Sequence, residues 1–337
     1  MHRRIALSLL LAAPLLLGLP LLSSGGTAAA AETWRLAHQM PPDSPEGKVW
    51  QRFADLAAGY TNGEVTIRIF PSSQLGKPQA VIEQLQAGTV QIFAEGVGFL
   101  EAQAPELRWV AAPFLFDDRE HWRRFMASDL VNGWMAGLRK TAGIVVIGDA
   151  SAIERGPYRV IVSKAPIRSL DDVQGVKLRM YSTKIAVDTW SHLGAEVIVM
   201  GWSDVYEGLR RGLVSAVTGP ISQIESMRFY EVAPNIGRTD EFPQGLALMT
   251  NAKAWDAVSD AARQGLTRAH AEAAELSRQI NAEIADTTVE SMKRKGASFD
   301  KVDTRGFVER MRTMYRDLDA KGELPAGLLS TVDATRG

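Results

Sequence analysis

The chain has 337 residues, a formal net charge of -1, 46% hydrophobic residues and no cysteine. Near-neutral charge without a long basic run argues against nucleic acid as a partner, and the missing cysteine excludes disulfides, thiol chemistry and a lipoprotein anchor. The length is enough for two domains of ordinary size.

The chain opens with His2, Arg3 and Arg4, an apolar run from Ile5 to Leu22, and Ala28 to Ala31. A positive start, an apolar centre broken by Pro14, Gly18 and Pro20, and small residues at the end describe a cleavable secretory leader over residues 1–31 better than a membrane anchor. No later segment has the uninterrupted apolar length of a membrane helix. The expected product is a soluble periplasmic protein held together by its core.

Trp34 to His38 reads as a first strand, and Glu46 to Tyr60 as a helix with Val49, Phe53, Leu56 and Ala57 at helical spacing. Val65, Ile67 and Ile69 alternate as a second strand, Gln79 to Ala87 returns to helix, and Val90 to Ala94 is a third strand. Such alternation implies an α/β fold with parallel crossovers and helices covering the sheet. Ligands of such sheets bind beyond the carboxyl ends of the strands, which puts His38 and Gln39, Pro71 to Gln74, and Glu95 to Gly98 on one rim. Trp109, Phe114 and Phe116 follow in an apolar, proline-marked stretch and are expected to pack in the core. A helix from about Arg119 to Leu138 and a strand from Ile144 to Gly148 lead to a crossing, Asp149 to Gly156, into a second domain.

Two short alternating runs, Tyr158 to Ser163 and Val176 to Met180, carry Arg159 and Arg179. Ser182 or Thr183 can cap the next helix, whose pattern runs through Ile185, Val187 and Leu193. A helix amino end beside a planar guanidinium is a place for an anion. From spacing alone, an arginine on a strand is more often solvated or salt-bridged.

The run from Arg159 to Arg179, with Ala165-Pro166-Ile167, Leu170-Asp171-Asp172 and Gly175-Val176-Lys177-Leu178-Arg179, resembles the solute receptors of TRAP transporters, the dicarboxylate and sialic-acid type. Phe70 to Gly76, ending Gln-Leu-Gly, and Leu85-Gln86-Ala87-Gly88 with Val90-Gln91-Ile92 are similar to the same family, which usually has Asp where Gln91 stands. The resemblance covers nearly the whole chain after the leader. It implies a two-domain periplasmic binding protein fold in which Arg179 holds the ligand's carboxylate and Arg159 assists. It also implies an aromatic wall at Trp202 and polar contacts from the loop that starts at Phe93-Ala94-Glu95. Glu95 has two readings: hydrogen bonds to a ligand, or a structural pairing with Arg159 or Arg179.

One strand end departs from the family. Thr218-Gly219-Pro220 stands where the usual ending is Glu or Gln, then Asn, then Pro. Gly219 has no side-chain amide for the carboxylate, a loss worth about 1.5–3 kcal/mol unless Thr218 or water replaces it. It is also expected to open volume for a bulkier or more apolar acid than a C4-dicarboxylate.

From Lys253 to Lys295 a helical pattern continues past Gly265 without proline, read as one long helix bracing both domains, the alternative being two helices with a kink near Gly265. Thr304 to Lys321 supplies a last helix. The domains are expected at 32–155 with about 246–284, and at 156–245 with about 285–330. The five histidines lack metal-ligand spacing, Gly96-Val97-Gly98 lacks a third glycine, and no nucleophile elbow appears. The reading is a monomeric receptor without cofactor or metal that passes a small organic acid to the membrane subunits of a TRAP permease. A receptor serving a sensor kinase and a periplasmic enzyme acting on an organic acid are the alternatives.

Overall fold

Short alternating strands and capped helices sort the chain into two sheets with helices around them. The structure is a computed structural model describing residues 32–337, so the expected leader lies outside the described residues. Strand β1 (Glu32–Ala37) leads through α1 (Pro45–Tyr60) to β2 (Val65–Phe70), and α2 (Pro78–Ala87) leads to β3 (Ile92–Glu95). These three strands are parallel, with β1 between the others. A 3-10 stretch, Pro105–Ala111, precedes α3 (Arg119–Met126), α4 (Asp129–Ala142), β4 (Ile144–Ile147) and β5 (Ile153–Glu154).

The chain then crosses into a second sheet through β6 (Arg159–Ser163), β7 (Lys177–Met180), α5 (Lys184–His192) and β8 (Glu196–Val199). That sheet continues with α6 (Val205–Arg211), β9 (Ala216–Pro220), α7 (Ile221–Ser226) and β10 (Asn235–Arg238). β11 (Gly245–Asn251) returns to the first sheet between β3 and β4. After α8 (Ala252–Ala257) and α9 (Asp260–Arg294), β12 (Ser298–Lys301) adds an edge to the second sheet, and α10 (Arg305–Ala320) and α11 (Leu328–Ala334) end the chain.

Neither sheet is wholly parallel, which corrects the expectation from strand–helix alternation. β11 runs antiparallel to β3, β4 and β5, and β6 runs antiparallel to β9 and β10. A strand that enters a sheet directly from the other sheet needs no helical crossover, so it is free to run in reverse.

The helix expected over 119–138 is two. Asp118 accepts from His121 N at 2.8 Å to start α3, and Ser128 accepts from Val131 N at 3.4 Å to start α4. α9 begins at Asp260, where Ser259 Oγ accepts from Ala262 N at 3.1 Å, and runs 35 residues without a break at Gly265. A Cβ at Gly265 would lie 2.6 Å from the Tyr60 carbonyl oxygen, so the glycine admits a close crossing with α1. The helix also packs on β5 in the first sheet and on α7 and β12 in the second, bracing both.

The core is continuous between the halves. Phe307 of α10 packs 5.5 Å from Phe114 and 6.2 Å from Trp190 of α5, and Tyr315 donates to the Pro113 carbonyl at 2.6 Å. Trp109, Phe114 and Phe116 are buried in this core. Among the described residues no helix is long and apolar enough to cross a membrane.

Candidate functional site

β7, β8 and β9 are parallel, so their carboxyl ends share a rim. Because β6 is reversed, its first residue, Arg159, pairs with Pro220 at the last position of β9, on that same rim. Opposite stand Gln39, just beyond β1, and Lys77, at the start of α2. The space between is a cavity of about 430 Å³ whose wall includes Arg179, Arg159, Trp202, Thr218, Gly219, Ser182 and Gln39.

Arg179 is 3% exposed. Its Nε donates to the Met200 carbonyl at 2.8 Å, and its guanidinium carbon sits 4.9 Å from the centre of the Trp202 ring. Among the described residues no carboxylate forms an ion pair with it. Burial, with Arg159 adding to it against Tyr181 and Asp204, pulls its pKa down to about 9, which leaves it charged at neutral pH. A buried cation without a counter-charge is costly unless something anionic joins it.

Arg159 is placed differently. Its Nε pairs with Glu241 at 2.8 Å, Nη1 donates to Gln244 Oε1 at 2.6 Å, and Nη2 donates to Thr218 Oγ1 at 3.3 Å. Its charge is therefore already matched, and it orients two polar wall residues.

Gly219 does not open the cavity as expected. A Cβ there would meet Trp202 Cη2 at 2.8 Å and Ile224 Cδ1 at 3.3 Å. The indole lies in the space that a side chain at 219 would take, held edge-on to Phe229 at 5.0 Å between ring centres. The missing side chain thus admits the aromatic wall and with it the stacking on Arg179.

Two of the expected site residues lie behind the wall. Glu95 is fully buried and takes hydrogen bonds from Arg155, Gln39 and its neighbouring Gly96 N–H, so its ion-pair partner is neither Arg159 nor Arg179. His38 is 2% exposed, and burial, reinforced by Arg155, holds its pKa down to about 4. It is a neutral packed ring.

Arg155 is the residue that sequence reasoning missed. It bridges Glu95 and Glu46, the latter at 3.0 Å, and Gln223 donates to Glu46 at 2.5 Å. Burial raises Glu46, with Arg155 opposing and Glu95 adding to the rise, while the two carboxylates outweigh burial and raise Arg155. The available signal was an arginine directly before Gly156-Pro157 at the crossing between sheets.

The helix amino end beside Arg179 is already occupied. Thr183 is the N-cap of α5, and the first amide, Lys184 N, donates to both oxygens of Glu101 at 2.8 and 3.1 Å. Ser182 remains on the cavity wall. At the mouth, Lys77 pairs with Asp204 at 3.3 Å.

Residues 36–321 match the family described as bacterial extracellular solute-binding protein, family 7. The C4-dicarboxylate-binding periplasmic protein DctP of Rhodobacter capsulatus is 28% identical over 265 residues, 78% of each chain. The 2,3-diketo-L-gulonate-binding periplasmic protein YiaO of Escherichia coli K12 is 27% identical over 307 residues, 90% of this chain and 92% of that one. A crystal structure of a TRAP periplasmic solute binding protein from Ochrobacterium anthropi with bound L-fuconate has a TM-score of 0.81 and 26% identity, covering 90% of this chain and 98% of that one. The match runs from within β1 to just past α10, and the chain belongs to the family 7 bacterial extracellular solute-binding proteins.

Proposed function

We propose that this protein is the periplasmic receptor of a TRAP-type transporter, capturing a small organic acid between its two sheets and delivering it to the membrane permease. The observation that carries this reading is Arg179: a buried guanidinium on a cavity wall, matched by no carboxylate among the described residues. A ligand carboxylate supplies that charge and fits the planar donor fork. Relatives named for C4-dicarboxylate and for 2,3-diketo-L-gulonate, and a structure holding L-fuconate, support an acid as cargo.

In this reading the protein acts as a monomer. Its domains are 32–155 with about 246–284 and 156–245 with about 285–330, and they close as a hinge on the bound acid. Residues 1–31 direct export and are removed. Trp202 forms a flat wall, while Thr218, Ser182 and Gln39 offer polar contacts and Arg159 keeps Thr218 in place.

A thermal-shift and calorimetric panel of aliphatic, keto, hydroxy and sugar acids tests the assignment. An acid present at a thousand times its dissociation constant adds about 4 kcal/mol of stability, a shift of several degrees. Arg179→Ala should abolish the response while leaving the protein folded. An equal response from parent and variant would refute Arg179 as the anchor, and recovery of chemically altered acid would refute a receptor in favour of an enzyme.

A further inference from the structure

The charge on the cavity wall comes from Lys77, Arg155, Arg159, Arg179 and Asp204. Three of the four cations are matched within the protein. Asp204 meets Lys77 at 3.3 Å, Glu241 meets Arg159 at 2.8 Å, and Glu46 and Glu95 both meet Arg155. Arg179 alone has no carboxylate among the described residues, its one hydrogen bond going to a carbonyl. The four cations face four carboxylates in number, but two of these sit on Arg155, so the shortfall is local to Arg179.

The neutral groups add a second constraint. Gln39 and Gln223 donate their amide N–H groups to Glu95 and Glu46, which fixes the amide orientation. Their carbonyl oxygens are left as acceptors with no hydrogen bond within the protein among the described residues. Gln244 gives its own oxygen to Arg159 and keeps its N–H groups. These two acceptors and the Gln244 donor, with the Ser182 and Thr218 hydroxyls on the same wall, suit hydroxyl or N–H groups. A second carboxylate would be stripped of water beside carbonyl oxygens without a free cation to meet it.

Resting on the receptor reading above, we propose that this cavity selects an acid with a single carboxylate, held by Arg179, and a body carrying hydroxyl or N–H groups, and that it rejects the corresponding diacids. Shape acts beside charge: the indole that Gly219 admits covers one face of the Arg179 guanidinium.

The test is calorimetry of the protein at neutral pH with matched pairs: gluconate and glucarate, galactonate and galactarate, erythronate and tartrate, butanoate and succinate. In at least one hydroxylated pair the monoacid should bind about 100-fold more tightly than the diacid, the scale expected for a desolvated charge left unpaired. Butanoate should bind more weakly than erythronate. A diacid that binds as tightly as its monoacid overturns the proposal and leaves the receptor reading standing. Silence from every member beside a response to another acid of the wider panel overturns the proposal and leaves the receptor reading standing, and silence from the wider panel as well defeats both.

Two variants then test the cause. Glu241→Gln leaves Arg159 unmatched, and Asp204→Asn, at an exposed position, leaves Lys77 unmatched and keeps the experiment alive if the buried change does not fold. Either should move the ratio toward the diacid by about tenfold. An unchanged ratio in folded variants overturns charge matching as the selector.

Discussion

Gly219→Ala tests whether the glycine exists to seat Trp202. Gly219 lies in a strand with an ordinary backbone angle, so the effect is steric rather than conformational. The new Cβ would fall 2.8 Å from Trp202 Cη2, well inside the roughly 3.5–4.0 Å at which carbons attract. The indole cannot simply step aside, because Phe229 packs edge-on against it and the Arg179 guanidinium covers its face. Overpacking of this kind costs about 1–3 kcal/mol, and a displaced ring also forfeits about 0.5–2 kcal/mol of its stacking with a buried cation. Urea unfolding followed by far-UV circular dichroism measures the loss. The decisive comparison is a double-mutant cycle with Trp202→Leu, which removes the atom that the Cβ would strike. The two changes should be coupled by at least about 1 kcal/mol, with Gly219→Ala nearly neutral in the Trp202→Leu background. Additivity within about 0.5 kcal/mol would refute a shared space. Affinity for the acid found in the panel should fall with the single change, since the wall against Arg179 moves.

Arg155→Met should be among the most damaging single substitutions, because it strands Glu46 and Glu95 without their cation. Such losses run to about 3–5 kcal/mol, and a change below about 1 kcal/mol in urea unfolding would show that the carboxylates find other partners. Gly265→Ala should also destabilise, by about 1–3 kcal/mol, although alanine ordinarily favours a helix. A more stable variant would mean that the α1–α9 crossing relaxes freely around the 2.6 Å contact. His38 and His270 are both held down to about 4 by burial, against a usual value of 6.5. Between those values the unfolded chain binds protons that the native state refuses, so stability is fully present above pH 6.5 and falls toward pH 4. Each histidine contributes about 1.4 kcal/mol per pH unit, while Glu46, with its raised pKa, works in the opposite direction. Unfolding midpoints at several pH values across that window check the sign, and a flat profile would contradict neutral burial.

What could be read from the sequence followed from local pattern. α1 spans nearly the residues its spacing indicated, β1 and β2 alternate where expected, and the long helix is present because nothing in 260–294 breaks it. One end of the second sheet was not legible. β10 and β12, Asn-Ile-Gly-Arg and Ser-Phe-Asp-Lys, are too short and mixed to alternate clearly, and become strands by pairing with each other and, for β10, with β6. Arg179 could be singled out because its chemistry sits in one short segment. The Arg155 cluster could not, since Gln39, Glu46, Glu95 and Gln223 converge on it from four separate elements. The Gly219 error was of another kind. A missing side chain implies empty space only where no neighbour fills it, and here the Trp202 indole does.

The contacts at the mouth bear on how long a solute stays. Glu101 reaches from the loop after β3 to the first amide of α5, and Lys77 reaches from α2 to Asp204. Both contacts form within the protein itself. For a receptor that opens and shuts, such contacts shift the equilibrium toward the shut form before any acid arrives. Apparent affinity rises with the fraction of molecules already in the competent shape. In the receptor reading proposed above, the Glu101 contact sets residence time for any guest, while Arg179 and its neighbours decide which guest is admitted. A membrane partner that pulled Glu101 from α5 would speed release of every guest without touching the binding site.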